Sequence, residues 1–289
     1  MTKGTTLVLG GTGKTGRRVA ERLAARGVPV RIGSRAGAPP FDWENPATWP
    51  AAIAGVERVY VSYQPDLAAP GAAEAIGAFT DLAVRQGARR LVLLSGRGEP
   101  EALRCEALVR DSGAEWTIVR SSWFAQNFSE SFFLEPILAG EVALPVGDVR
   151  EPFVDADDVA DVAAAALLED GHAGEVYEVT GPRLLTFAEA IETIAQATGR
   201  RVRFTSIPLE AYTSALADAG LPPGLVSLVG YLFREVLDGR NASLADGVSR
   251  ALGRAPRDFA EYARRVAATG VWSVASAAPE EAEGAAETI

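Results

Sequence analysis

The sequence predicts an α/β protein built on a doubly wound parallel sheet, followed by a smaller, mostly helical C-terminal lobe. Short apolar runs alternate with amphipathic segments five times in roughly the first 120 residues, which is the pattern of a parallel sheet with right-handed crossovers. The first apolar run ends in Gly10, Gly13 and Gly16. The second half of the chain has helical periodicity, capping signals and few further strands.

The composition narrows the class of protein before any motif is considered. The 289 residues are 48% hydrophobic and 23% charged, with a net charge of −10 and no basic cluster, which argues against nucleic-acid binding. No apolar run approaches the ~20 residues of a membrane helix, and we expect no signal peptide because the first predicted strand begins close to Met1. The single cysteine, Cys105, cannot form an internal disulfide and is expected to pack in the core rather than act as a nucleophile. We expect a cytoplasmic protein.

The stretch Leu7–Gly16 has the order of a strand, a tight turn and a helix. Gly10 allows the turn, Gly13 lets the backbone approach a pyrophosphate, and Gly16 lets the helix pack close to the strand. The helix N-terminus presents unpaired N–H groups to the phosphates. This context predicts a Rossmann-like dinucleotide site, against the alternative of a purely structural turn.

The end of the second strand, residues 28–34, bears on which dinucleotide is bound. Enzymes that prefer NAD place an acidic residue here for the ribose 2′-hydroxyl, and this chain has none between Arg31 and Phe41. Arg35 is suited to a 2′-phosphate, and Lys14 adds a charge inside the glycine loop. We therefore expect NADP(H), the alternative being that Arg35 is a solvated loop charge.

Candidate catalytic residues follow the next strands. Tyr63 follows the strand 56–62 and is a candidate proton donor, whereas Ser95 follows the strand 90–94 and is expected to contact a substrate oxygen or to cap the next loop. Ligands in such sheets lie beyond the C-terminal strand ends. The segments expected to converge on one crevice are Gly10–Gly16, Ser34 and Arg35, Tyr63 and Gln64, Ser95–Arg97, and Ser121–Asn127.

An aromatic cluster follows the fifth strand, and two interpretations of it stay open. It forms either a pocket wall for a flat substrate or the hydrophobic seam between the two lobes. Trp123 and Asn127 are the best candidates for the pocket. The cluster consists of Trp123, Phe124, Asn127, Phe128, Phe132 and Phe133.

The expected organisation is an NAD(P)-binding domain over residues 1–150, a mainly helical substrate lobe over 151–272, and a flexible tail over 273–289, with 175–181 returning to the sheet. Asp155, Asp157 and Asp158 open a helix, where capping is expected rather than metal binding, so no metal site is predicted. His172, the only histidine, is expected on the surface. Helices are expected at about 208–219, 223–238 and 256–268.

The glycine loop, Leu91–Ser95, Ser112–Phe128 and Pro152–Ala160 together resemble the NmrA-like family, a branch of the atypical short-chain dehydrogenases. The resemblance is strongest to the subgroup with NAD(P)H:quinone reductases and festuclavine dehydrogenases. It implies that the pyrophosphate is held by Gly10, Thr12, Gly13, Lys14, Thr15 and Gly16. It also implies that Ser34 and Arg35 hold the 2′-phosphate, with Tyr63, Gln64, Ser95 and Gly96 along the ribose and nicotinamide.

The chain departs from the family pattern at the proton donor. Short-chain dehydrogenases use Tyr-x-x-x-Lys, but no lysine follows Lys14 and no tyrosine lies between Tyr63 and Tyr177. Many relatives have a lysine on the helix after Ser95, where this chain has Arg104, and arginine cannot donate a proton at neutral pH. Catalysis then depends on hydride positioning, which suits a quinone or an iminium better than a plain ketone.

The sequence therefore predicts an NADPH-dependent reductase of a small conjugated or cyclic acceptor: a quinone, enone, ketone or iminium. The alternative is a regulatory protein that senses NADP(H), binds a partner protein and does not turn over. A non-redox use of the fold, such as an isomerase, is a third interpretation. Either a monomer or a homodimer fits the sequence.

Overall fold

The structure, a computed structural model, describes residues 4–274. Its strands are β1 (Thr5–Leu9), β2 (Val30–Gly33), β3 (Val56–Val61), β4 (Arg90–Gly96), β5 (Glu115–Ser121), β6 (Glu141–Leu144), β7 (Arg150–Glu151), β8 (Glu175–Val179), β9 (Leu185–Thr186) and β10 (Arg203–Ser206). Its helices are α1 (Lys14–Ala25), α2 (Trp49–Ile53), α3 (Ala72–Arg85), α4 (Pro100–Arg110), α5 (Leu134–Ala139), α6 (Ala156–Leu168), α7 (Phe187–Thr198), α8 (Leu209–Asp218), α9 (Pro223–Tyr231), α10 (Gly247–Leu252) and α11 (Phe259–Ala267).

The central sheet has six parallel strands in the order β2-β1-β3-β4-β5-β8. The strand order reverses between β1 and β3, so a crevice opens beyond the carboxyl ends of these two strands. The chain returns to the sheet at β8, which pairs with β5. The predicted doubly wound parallel sheet is confirmed.

Helices cover both faces of the sheet, because successive side chains of each strand point to opposite faces. Leu7 and Leu9 of β1 face a core shared with α2, α3 and α4. Val8 faces the other side, where α1, α6 and α10 pack. The structure thus places α6 with the sheet, although the sequence boundary at residue 150 assigned it to the helical lobe. The reason is its alanine-rich surface, which is buried along most of the helix against α1 and the strands.

The helical lobe has a separate core around an aromatic cluster. Phe128 packs against Phe133, Phe153 and Phe259, with ring centroids 5.2–5.5 Å apart. Phe128 and Phe133 therefore belong to the interior of this lobe rather than to an open pocket wall. Two small sheets, β10 with β6 and β7 with β9, complete the lobe. The expected helix over 223–238 is α9 followed by a π-helical turn, Leu232–Val236.

The expectation for His172 is wrong. Its side chain is buried, and its Nδ1 lies 2.8 Å from the hydroxyl of Tyr177. The turn after α6 folds back over the sheet, and the His172 carbonyl accepts a hydrogen bond from Thr117.

Among residues 4–274, no helix has the length and apolar content needed to cross a membrane. Of the predicted tail, all but residues 273 and 274 lie outside the described range.

Candidate functional site

The glycine loop has the geometry expected of a phosphate-binding turn. Gly10 has φ +60°, and the Gly13 N–H donates a 2.8 Å hydrogen bond to the Gly10 carbonyl. No side chain caps α1, and no acidic residue lies in its first turn, so the N–H groups there are available to an anion. Thr12 and Gly13 are exposed at the rim, whereas Thr15 and Gly16 are buried beneath it.

Positive charges surround this loop, together with one carboxylate that the sequence reasoning missed. Burial lowers the pKa of Lys14, and the neighbouring arginines lower it further, while Glu130 opposes this shift. Glu130 lies 2.8 Å from Arg17 and 2.7 Å from Arg18, both on α1. The Phe132 ring, half exposed, lies 6.0 Å from Lys14 Nζ. The segment 130–132 thus lies beside the first turn of α1.

The end of β2 presents the residues predicted for the 2′-phosphate. Arg35 is exposed and forms no hydrogen bond or ion pair with any residue between 4 and 274. The Ser34 carbonyl accepts hydrogen bonds from the N–H groups of Gly37 and Phe41, which fixes the turn that carries Arg35. An unpaired guanidinium in this place is available to a phosphate group.

At the end of β3, Tyr63 is half-buried and its ring lies 5.0 Å from that of Trp43. Trp43 in turn donates a hydrogen bond to the Ser62 carbonyl. Burial raises the pKa of Tyr63, as do the charges of Cys105 and Glu44. These neighbours lie on the face of the sheet that α3 and α4 cover. Proton donation by Tyr63 stays a prediction. Gln64 is exposed at the crevice.

At the end of β4, the Ser95 hydroxyl is buried and donates a 2.7 Å hydrogen bond to the Glu106 carboxylate. Glu106 also accepts two hydrogen bonds from Arg120, so this buried carboxylate is paired. Only the folded structure brings these residues together, because no local pattern links them. Contact between Ser95 and a substrate stays a prediction.

A pair of carboxyl groups lies beside Gly96. A Cβ atom added to Gly96 would stand 2.2 Å from Glu99 Oε1. The carboxyl groups of Glu99 and Asp66 are in hydrogen-bonding contact. Burial and the charge of Asp66 raise the pKa of Glu99 well above its usual range, so Glu99 carries the shared proton at neutral pH. The sequence reasoning did not single out either residue.

Trp123 and Asn127, predicted to line the pocket, follow β5. The Trp123 ring lies 6.2 Å from Phe187 and 6.0 Å from Phe233, at the seam between the sheet and the helical lobe. Its indole N–H is buried and has no hydrogen-bond partner among the described residues. The Asn127 side chain is also buried, and its amide has no partner within the same range.

Glu151 is a second residue that the sequence reasoning missed. Its side chain is 1% exposed, and its Oε1 has no hydrogen-bond partner in the described part of the chain. Burial raises the pKa of Glu151, Arg97 lowers it and Asp238 raises it, and together these effects raise it to about 7. No motif or spacing marks Glu151 in the sequence, since only the fold shows that its carboxyl group is enclosed.

Two surface cavities, of about 330 and 610 Å³, lie beside α7 on the helical lobe. Neither is lined by any predicted site residue, so we assign the candidate site from the strand-end residues instead.

Asp155 caps α6 by accepting a hydrogen bond from the N–H of Asp157, as the sequence suggested. Within residues 4–274 no group of histidine, cysteine and acidic residues is arranged to hold a metal ion.

The glycine loop, the uncapped first turn of α1 and the parallel sheet define a dinucleotide-binding protein of the Rossmann class. Two family models match the chain: an NAD(P)H-binding model over residues 10–170 and the NmrA-like family over residues 102–263. The NAD(P)H azoreductase of Xenophilus azovorans is 31% identical, over 91% of this chain and 98% of that protein. The chain belongs to the NmrA-like family and is an NAD(P)H-dependent oxidoreductase.

Solved structures share the fold. The NADPH-dependent quinone oxidoreductase of Escherichia coli, in complex with NADPH, has a TM-score of 0.75 and 21% identity, over 91% of this chain and 99% of that one. The negative transcriptional regulator NmrA, in complex with NAD, has a TM-score of 0.70 and 18% identity, over 93% and 97% of the two chains. At these identities the likeness shows the architecture alone.

Proposed function

We propose that this protein is an NADPH-dependent reductase that transfers hydride to a small conjugated or cyclic acceptor. The observation that carries the proposal is the unpaired Arg35 at the end of β2, on the same sheet edge as the uncapped first turn of α1. The glycine loop would hold the pyrophosphate and Arg35 the 2′-phosphate, with Lys14 adding positive charge. Bound NADPH would supply the hydride.

The residues along the edge constrain the acceptor. No tyrosine–lysine pair is present, so the acceptor must already be electrophilic. Trp123 offers an aromatic surface between Phe187 and Phe233, which suits a flat molecule. The names of the azoreductase relative and of the quinone oxidoreductase with the same fold agree with acceptors of this kind.

The 2′-phosphate contact is tested by titrating NADPH and NADH into Arg35→Ala. A hydrogen bond to a charged group contributes about 1.5–3 kcal/mol, so the NADPH affinity should fall roughly 10- to 100-fold while the NADH affinity stays the same. Arg89→Ala is the matched control, since Arg89 is also exposed but lies at the opposite end of the sheet, just before β4. Equal weakening of both dinucleotides by Arg35→Ala would contradict the role of Arg35.

Turnover is tested by following NADPH absorbance after adding 1,4-benzoquinone. Consumption that requires both protein and quinone supports the reductase. The second candidate is a dinucleotide-sensing regulator, which the missing tyrosine–lysine pair and the fold shared with NmrA favour. Tight NADPH binding with no consumption across quinones, enones and iminium ions would favour that regulator instead.

A further inference from the structure

Two buried polar atoms at the seam between the sheet and the helical lobe lack a hydrogen-bond partner within residues 4–274: Trp123 Nε1 and Glu151 Oε1. One is a donor, and the other belongs to a carboxyl group that donates when it is protonated. Buried polar groups are nearly always paired, so each unpaired group in a native fold requires an explanation. Neither atom contributes to the glycine loop or to the ion pairs of the sheet.

Both residues are connected to the same two neighbouring segments. Trp123 packs against Phe187 and Phe233, whereas the Glu151 backbone pairs with Leu185 in the β7–β9 ladder and its carboxyl group lies near enough to Asp238 for that charge to raise its pKa. Leu185 lies two residues before Phe187, and Asp238 lies five residues after Phe233. The residues that carry the two unpaired atoms are therefore both connected to the start of α7 and to the segment around the π-helical turn.

A third link comes from Arg97, which acts electrostatically on Glu151. The Arg97 guanidinium donates a 3.2 Å hydrogen bond to the hydroxyl of Ser122, the residue just before Trp123. Arg97 follows β4 directly, so this group extends from the strand ends of the sheet into the seam. Arg97 and Trp123 each lie within two residues of the carboxyl end of a strand of the central sheet, which is the edge where ligands bind in folds of this class.

We propose that Trp123 and Glu151 form the oxygen-recognition and proton-donor site for a neutral carbonyl acceptor, such as an enone or a quinone. The Trp123 indole N–H donates a hydrogen bond to the acceptor oxygen, and the Glu151 carboxylic acid gives that oxygen its proton. This inference rests on the proposed reductase function and names its substrate class and its acid.

The chemistry balances without a further reactant. The cofactor supplies a hydride, which is two electrons and one hydrogen nucleus. When an enone receives it at the β-carbon, the displaced π-electron pair moves to the oxygen and leaves an enolate. Glu151 breaks its O–H bond and protonates that oxygen, which forms an enol and a Glu151 carboxylate. Water then returns a proton to Glu151 before the next turnover.

The surroundings of Glu151 suit an acid that works near neutral pH. Arg97 and Asp238 are the charged groups that act on it, with opposite effects on its pKa. Arg97 is already engaged, since it lies 3.3 Å from Glu178 and donates hydrogen bonds to Ser243. Burial therefore dominates and keeps a large share of Glu151 protonated at pH 7.

The experiment compares acceptors that need a proton with an acceptor that does not. Cyclohexenone and 1,4-benzoquinone require a proton after hydride transfer, whereas a triarylmethyl cation becomes neutral by accepting hydride alone. In Glu151→Gln, kcat for the neutral acceptors should fall at least about 100-fold, the lower range for general-acid catalysis. The rate with the cation and the NADPH affinity should each stay within about 3-fold of wild type.

Trp123→Phe removes the indole N–H and keeps an aromatic ring of smaller size, and it should lower kcat/KM for the neutral acceptors about 10-fold, which corresponds to about 1.4 kcal/mol. Trp116→Phe is the matched control, because Trp116 lies at the opposite end of β5 and packs against Arg110. Unchanged kinetics in Trp123→Phe would exclude this residue from oxygen recognition.

The pH dependence of the wild-type protein provides a test that does not depend on the folding of any variant. Since the acid must be protonated, the rate with the neutral acceptors should fall as the pH rises through about 7, while the rate with the cation should not. Equal slowing of both acceptor classes by Glu151→Gln, or a shared pH profile, would overturn the proposal and leave the reductase function standing. A wild-type protein that binds NADPH but reduces none of the three acceptors would refute the reductase function itself.

Discussion

Replacing Gly16 by alanine should damage both stability and cofactor binding, because the loop and α1 touch at this residue. A Cβ atom at Gly16 would lie 2.2 Å from the Gly10 carbonyl oxygen, 2.6 Å from its carbonyl carbon and 2.9 Å from Gly11 Cα. All three atoms are backbone, and the shortest of these distances is more than 1 Å below an ordinary contact. The start of α1 must therefore move away from the strand.

Overpacking of this kind costs about 1–3 kcal/mol and sometimes more. In a chain of this size, such a loss lowers Tm by roughly 2–4 °C per kcal/mol, so Gly16→Ala should melt about 3–10 °C lower. The displaced N–H groups should bind pyrophosphate at least about 10-fold more weakly. Thermal unfolding and NADPH titration measure the two effects separately.

Gly13→Ala is the matched control, with a different expected result. Its backbone, at φ −83° and ψ −179°, accepts any residue, and an added Cβ atom would lie 3.2 Å from the Gly10 oxygen. We expect a stability change within about 1 kcal/mol but clearly weaker NADPH binding, because the methyl group occupies the approach to the pyrophosphate. A Gly16→Ala protein with wild-type Tm and NADPH affinity would refute this reasoning. If Gly13→Ala binds NADPH with wild-type affinity, the phosphates do not bind at the glycine loop.

Three further predictions concern charged groups. Glu130→Gln should increase the NADPH affinity several-fold at low salt, because Glu130 neutralises Arg17 beside the phosphate loop. The increase should be smaller at high salt, and NADPH titrations at two ionic strengths check this. Asp158→Asn should destabilise the fold by about 2–3 kcal/mol in urea unfolding, since Asp158 is buried and accepts hydrogen bonds from Arg254 and Arg257. Burial raises the pKa of Asp161, but the hydrogen bonds and charges of Arg22 and Arg257 together outweigh burial and lower the pKa overall. The ionised Asp161 therefore stabilises the folded state at pH values above its unfolded-state pKa of about 3.9, and this stabilisation is lost as the pH falls below that value. We expect the urea concentration needed for unfolding to decrease below pH ~4, and to decrease less in Asp161→Asn than in the wild type.

The parts of the site that sequence reasoning found are those with local causes. The glycine loop is defined by a strand, a turn and a helix within ten residues, so its spacing alone predicts its geometry. Arg35 is exposed and has no partner among the described residues, which supports its predicted contact with the 2′-phosphate. Its place after β2 was already visible in the sequence. The order of strands and helices likewise predicted the sheet, because short crossovers leave few topologies open.

The parts that it missed depend on residues distant in sequence. The sequence did not indicate the hydrogen bond from the Ser95 hydroxyl to Glu106, eleven residues later on a helix that packs beside it, and contact between Ser95 and a substrate stays a prediction. His172 is a polar residue in a glycine-rich turn, which suggests exposure, and only the fold shows that the turn covers Thr117. The unpaired state of Glu151 is a property of its surroundings and has no counterpart in the sequence.

Hydrogen bonds made by α1 and α6 connect the predicted phosphate site with the predicted acceptor pocket. Arg22 of α1 donates a 2.7 Å hydrogen bond to Asp157, and Asp155, two residues earlier, accepts a 2.7 Å hydrogen bond from Gln126. Gln126 precedes Asn127 in the turn that follows β5, and its side-chain oxygen Oε1 accepts a hydrogen bond from the first N–H of α6. A displacement of α1 by bound pyrophosphate would therefore be transmitted to the residues that border the predicted acceptor pocket. The helix that is expected to bind the phosphates is thus connected by hydrogen bonds to the turn that carries Asn127, so we expect the position of the cofactor and the shape of the acceptor pocket to depend on the same contacts.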